Sequence, residues 1–181
     1  MLEQARTQIA PDTIRRTVVA IDPPASANGD ECGIIVVALA ADKMAYVLAD
    51  LSLAQAPPEK WAHKAAEAAS HWEADRVVAE ANQGGAMVES VLRAADNSLP
   101  VKLVHASRGK VARAEPIAAA YGAGRVRHCG LFPQLEDQLC GLLHGGDYVG
   151  PGKSPDRADA LVWGLSELLL GKGANPRVAQ L

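Results

Sequence analysis

Three acids in this chain stand where a carboxylate is costly unless a cation meets it. Asp22 closes the apolar run TVVAID (17–22), Glu80 closes RVVAE (76–80), and Asp159 lies in the first turns of the helix-patterned segment 154–170. An ionised carboxylate at the end of a buried strand loses its hydration and requires a positive partner. Three such hard oxygen donors suit Mg2+ or Mn2+ better than zinc. Any one acid alone would read better as the ordinary end of an element entering a turn. The pairing of Asp22 with Glu80, each followed by a loop, is what points to a shared ion. In 154–170 the apolar stripe is Ala158, Leu161, Val162, Leu165, Leu168 and Leu169. At about 100° per residue, Asp159 falls roughly 120° from the stripe's centre, beside Val162, where it can reach the sheet edge. Asp156 falls further out and is expected to be the more exposed, an auxiliary whose place in the first turn also complements the helix dipole.

Other constellations carry less. Gly152-Lys153-Ser154 resembles the end of a phosphate-binding P-loop, but the required first glycine is replaced by Asp147 and no strand precedes it. His128, Cys129, Cys140 and His144 lack the tight cysteine pair of a zinc site and read as buried or half-exposed core residues. His63, His71 and His105 show no usable spacing, and no Ser–His–Asp set has a supporting motif.

The elements that must hold the acids follow from periodicity. Strands are expected over 17–22, 33–40 and 44–53, joined by turns as an antiparallel meander. Further strands are expected over 76–80, 101–105 and 125–128, and helices over 57–74, 86–95, 111–121, 133–143 and 154–170. For the last helix the sequence offers Ser154 as N-cap, Pro155 at the first position and Asp156 in the first turn. A meander followed by βα units gives an α/β fold, a mixed sheet with helices on both faces. Residues 1–15 read as a linker or tail, 16–172 as the folded domain and 173–181 as a C-terminal tail.

Composition sets the outer limits. The 181 residues are 49% hydrophobic and 22% charged, which excludes disorder and supports one core. Three cysteines cannot form an even disulfide framework, which suits a reducing cytoplasm. Apolar runs such as 34–41 fall short of the roughly 20 residues of a membrane span, and the first 16 residues lack a signal-peptide core. Net charge is −3, yet residues 101–128 carry six basic side chains against the single acid Glu115. A basic stretch on an acidic body suits a phosphate-touching surface beside a cation site.

Four segments in order, VVAIDPPAS...DECGIIVVAL, VVAEANQGG, SRGKVARAEPIAAAYGAGRVRH and SPDRADALVWGL, resemble the C-terminal nuclease domain of the large terminase subunit, the DNA-packaging motor protein of tailed bacteriophages and phage-like particles. The resemblance covers nearly all of 17–171. It implies an RNase H-like fold and a metal-dependent endonuclease that cuts double-stranded, concatemeric viral DNA during packaging. It places the family's acids on Asp22, Glu80 and Asp159, with Asp156 at a variable position. Two Mg2+ or Mn2+ ions are implied, Asp22 bridging them, with phosphodiester hydrolysis by two-metal chemistry. Arg108, Lys110 and Arg113 are expected to hold the DNA backbone, with Gln83 and Gly84 close to phosphate, giving salt-sensitive binding with little sequence readout. An acid of the family's second strand is replaced here by Cys32. The implied partners are an N-terminal ATPase domain, the small terminase subunit and the portal, in the host cytoplasm, with no membrane. Without a P-loop, no ATP hydrolysis is expected of this chain, and 1–15 would be the remnant of an interdomain linker. The rivals are a junction resolvase of the RuvC type, against which SRGKVARAEP counts, and a docking module with weak or regulated nuclease activity. A sugar-kinase-like fold would need a glycine-rich phosphate loop near Asp22 and a far longer chain.

Overall fold

Strand β1 (Ile14–Asp22) organises the sheet, pairing antiparallel with β2 (Glu31–Ala40) and parallel with β5 (Arg76–Glu80). In this computed structural model, which describes residues 2–8, 11–24, 31–81, 85–107, 109–142 and 148–170, the strand order is β6-β5-β1-β2-β3-β7. Strand β3 (Ala45–Asp50) completes the antiparallel meander, while β6 (Val101–Val104) and β7 (Val126–His128) add in parallel at the two edges. The expected mixed sheet, a meander followed by βα units, is the arrangement found.

Both faces are covered, and strand alternation decides which side chain goes where. Val18, Ile35, Val37 and Val78 pack with α4 (Lys110–Gly122), α5 (Pro133–Leu142) and α6 (Asp156–Leu169). Val19, Ile21, Ile34, Val36, Val77 and Ala79 face the other way, toward α2 (Pro58–His71) and α3 (Gly85–Ala95). Burial on both faces explains why the central strands read as unbroken apolar runs rather than alternating ones.

Several elements differ from the sequence expectation. The single strand expected over 44–53 is split: β3 stops at Asp50, and Leu53–Ala54 forms β4, which pairs with the far end of β2 at Cys32 and Glu31. Residues 51–52 make the corner, with Leu51 N–H donating to Ile34 O and Ser52 Oγ accepting from Ile34 N–H. The segment before β1 carries a four-residue helix, α1 (Leu2–Ala5), too short to leave a period in the sequence. Ala5 is buried, and Arg6 forms a bridge alongside His128 of β7 and an ion pair with Glu136. Cys140 is exposed on α5 rather than at the core, whereas His128 is fully buried. Among the described residues no helix is long and apolar enough to cross a membrane.

Candidate active site

Alternation along two neighbouring strands brings two of the acids to one face. Even-numbered residues of β1 face α6, as Val18 and Ala20 do, so Asp22 faces α6 as well. The same parity carries Glu80 of β5 to that face, two residues after Val78. Ile21 pairs with Ala79 across the parallel ladder, so Asp22 and Glu80 leave neighbouring strands side by side.

Helix α6 closes over this edge because β2 offers it a gap. Gly33 is the register partner of Asp22. A Cβ at Gly33 would lie 2.6 Å from the Asp156 carbonyl carbon, nearer still to its oxygen, and 3.0 Å from Ala160 Cβ. Without a side chain at 33, the first turn of α6 lies directly on the strand. Further along, Gly164 gives the same close approach to Val37 and Ala20. The helix start is held by groups remote in sequence. Gln138 Oε1 accepts from the backbone N–H groups of Arg157 and Ala158 at 2.9 and 3.2 Å, satisfying two of the otherwise unpaired first-turn donors. Arg157 meets Glu31 at 2.5 Å and Asp50 at 2.6 Å, tying α6 to β2 and β3. Ser154 is not the N-cap: Pro155 occupies that position, and the Ser154 hydroxyl accepts from Lys110 Nζ at 2.9 Å. Asp156, expected to be the more exposed of the two acids, is 9% exposed against 2% for Asp159; both are buried because the turn carrying them is seated on Gly33.

The first turn of α4 supplies the positive charge. Arg113 Nη1 donates to Glu80 Oε2 at 3.0 Å, and its Nη2 reaches Asp159 Oδ1 at 3.4 Å. Lys110 Nζ lies 2.5 Å from Asp159 Oδ2. Cations at a helix start oppose its dipole, and these carboxylates offset that. Arg113 is 10% exposed and works as an interior counter-ion, whereas Lys110, at 44%, sits at the rim. Trp163, one turn beyond Asp159, donates from Nε1 to Glu80 Oε2, and the Arg113 guanidinium lies 4.6 Å from its ring centroid.

Even with these cations the cluster is overloaded with negative charge. Burial, then the Asp159, Glu80 and Asp156 carboxylates, push Asp22 well above the ordinary carboxylate range, and Lys110 only partly opposes them. Burial likewise raises Asp159 and Asp156 against the pull of nearby donors. Asp159 Oδ2 is buried and meets the ammonium of Lys110, a lysine at the rim of the site. A buried carboxylate oxygen held by an exchangeable rim cation, among other hard oxygen donors, fits a divalent cation. Among the described residues no three ligating side chains converge at metal-holding distance as they stand, so admitting an ion requires the side chains to turn from Lys110 and Arg113.

Of the residues expected from sequence, Asp22, Glu80, Asp159, Asp156, Lys110 and Arg113 are therefore brought together. Gln83, Gly84, Arg108 and His144 lie outside the described residues. Cys32 points to the opposite face of the sheet, packed in the core under α2 and α3. Sequence reasoning missed Trp163, Gln138 and Gly33. For Trp163 a signal was available, its i+4 spacing from Asp159 on one flank of the helix. For Gln138 and Gly33 there was none, since their roles are long-range contacts.

The sequence matches the family described as Terminase RNaseH-like domain over residues 19–168. No curated protein sequence is significantly similar to it. Among solved structures the fold is similar to the large terminase nuclease from thermophilic phage G20c, with 15% identity, a TM-score of 0.64, and 88% of this chain and 85% of that one covered. The same G20c nuclease with bound magnesium gives 15% identity and a TM-score of 0.64, over 88% of this chain and 86% of that one. The HK97 bacteriophage large terminase gives 15% identity and a TM-score of 0.67 over 90% of this chain, which spans 41% of that longer protein.

Proposed function

The chain belongs to the terminase RNase H-like domain family, and on that premise we propose that it is a metal-dependent endonuclease that cuts double-stranded DNA during phage genome packaging. The observation that carries this reading is the meeting of Asp22, Glu80 and Asp159 at one sheet edge, beneath the start of α6. Asp22, Glu80 and Asp159 would hold two Mg2+ or Mn2+ ions, with Asp156 as an auxiliary. Bound there, such ions supply Lewis-acid stabilisation of the charge that develops on the phosphodiester.

The remaining work belongs to the chain's own side chains. Burial of Asp159 limits water around its carboxylate and strengthens its attraction for a cation. Lys110 and Arg113 pair with Asp159 and Glu80 and offset part of the cluster's charge. Turned away from the carboxylates, they would be available to phosphate oxygens, Lys110 from the rim and Arg113 from within. Arg108, Gln83 and Gly84 are assigned to the same DNA track. Contacts of this kind position the backbone without reading bases, so binding weakens with salt. ATP hydrolysis is assigned to a separate N-terminal domain, with the small subunit and portal as further partners in the host cytoplasm. The nuclease unit is assigned to 16–172, with β1 and α1 carrying the fold back into the segment expected as a linker.

Plasmid cleavage by the purified chain tests the reading. Nicking and linearisation in Mg2+ or Mn2+ are expected, abolished by EDTA and by Asp22→Ala while the thermal melt stays cooperative. A folded protein that cuts in neither metal, or an Asp22→Ala variant that still cuts, would overturn the reading in favour of a docking role.

A further inference from the structure

We propose that Trp163 is a positioning residue of the nuclease site, setting the orientation of Glu80 through its indole N–H and the place of Arg113 through its ring. The inference rests on the nuclease reading above. A glutamate at a strand end has several free torsions, and ordering them opposes binding unless something fixes them beforehand. Glu80 Oε2 accepts from Trp163 Nε1 and from Arg113 Nη1. Arg113 in turn lies over the Trp163 ring and reaches Asp159. One aromatic side chain thereby links a carboxylate of β5, a cation of α4 and, along its own helix, the carboxylate of α6. Trp163 and Arg113 differ in kind as donors. A guanidinium competes with a divalent ion for the carboxylate's charge, whereas an indole N–H is neutral and can stay in place when the ion arrives. Groups that orient metal ligands in this way typically affect affinity without touching the ion.

Were Trp163 only a half-buried packing residue, a phenyl ring would replace it with no specific effect on metal. Mn2+ binding measured by calorimetry, together with cleavage kinetics, separates the two roles in wild type, Trp163→Phe, Glu80→Gln and the double variant. Trp163→Phe keeps a ring beneath Arg113 and loses the N–H. It is expected to weaken Mn2+ binding and kcat about tenfold, to leave the DNA Kd in Ca2+ unchanged, and to add nothing once Glu80 is Gln. Mn2+ affinity and kcat equal to wild type, or an equal loss in the Glu80→Gln background, would overturn the proposal.

The wild-type chain gives a second test that needs no change at Trp163. It has three tryptophans and so three indole N–H signals in a 1H–15N spectrum. One of them is expected to move both on Mg2+ titration and in Glu80→Gln, and no movement in any of the three would contradict the contact. A wild type that neither binds Mn2+ nor cuts DNA overturns the nuclease reading itself. A wild type that does both, beside an indistinguishable Trp163→Phe, overturns the role of Trp163 alone.

Discussion

His128 shows at the residue scale what burial does to an ionisable group outside the site. It is fully buried on β7, with Nε2 2.6 Å from Tyr121 Oη and Nδ1 3.1 Å from Glu136 Oε1. Burial pushes the Tyr121 phenol far up, so it stays protonated and donates. The matching imidazole is then neutral, accepting at Nε2 and donating from Nδ1. Burial lowers the His128 pKa below its ordinary value of 6.5, outweighing Glu136. As pH falls through that value, the unfolded chain takes up a proton that native His128 refuses, and stability drops. Glu136 acts in the same direction at lower pH. Burial would raise it, but hydrogen bonds from Arg6 and His128 bring it below 4.5, so its contribution is lost on further acidification. Between pH 7.5 and pH 5.5 the denaturant midpoint of wild type is expected to decline relative to that of His128→Gln, a difference that sets aside the raised site carboxylates common to both proteins. Equal slopes would contradict the assignment. The three acids were legible at this scale because a carboxylate ending an apolar strand is anomalous. The role of Trp163 was hidden because a tryptophan on a helix flank is not.

At the scale of elements, the site depends on where α6 begins and what it rests on. Gly33→Ala is expected to force the first turn of α6 off β2, costing about 1–3 kcal/mol as an overpacked contact does. It should also lower cleavage, since Asp156 and Asp159 ride on that turn. Gly122→Ala meets open space at the end of α4 and serves as the control. Urea denaturation and plasmid cleavage of both variants check this, and a Gly33→Ala protein as stable and active as wild type would refute the seat. Most strands and helices were readable from period alone. The start of α6 was misread because Ser154 and Pro155 look like a cap, while the groups that bind its free N–H donors come from Gln138, on another helix. The break between β3 and β4 was invisible because both halves are apolar and only the pairing with Cys32 separates them.

On the scale of the whole molecule, the sequence order of elements predicts the fold class but not the edge pairings that complete the sheet. Nothing in residues 125–128 says that β7 will lie parallel to β3, or that the chain before β1 will run beside it. The charge pattern was more informative. The basic stretch 101–128 supplies Lys110 and Arg113, and the acidic body supplies the cluster they meet. Opposite charges from separate elements meet at one edge, where a divalent ion would replace Lys110 and Arg113 beside the acids and a phosphate backbone would replace the acids beside Lys110 and Arg113. In the proposed function Asp22, Glu80 and Asp159 hold the catalytic metal, and anomalous diffraction from Mn2+-soaked crystals at the manganese edge tests this. Manganese bound by these three carboxylates, with Lys110 drawn away from Asp159, is the expected result. Manganese bound elsewhere, with the trio still paired to Lys110 and Arg113, would contradict it.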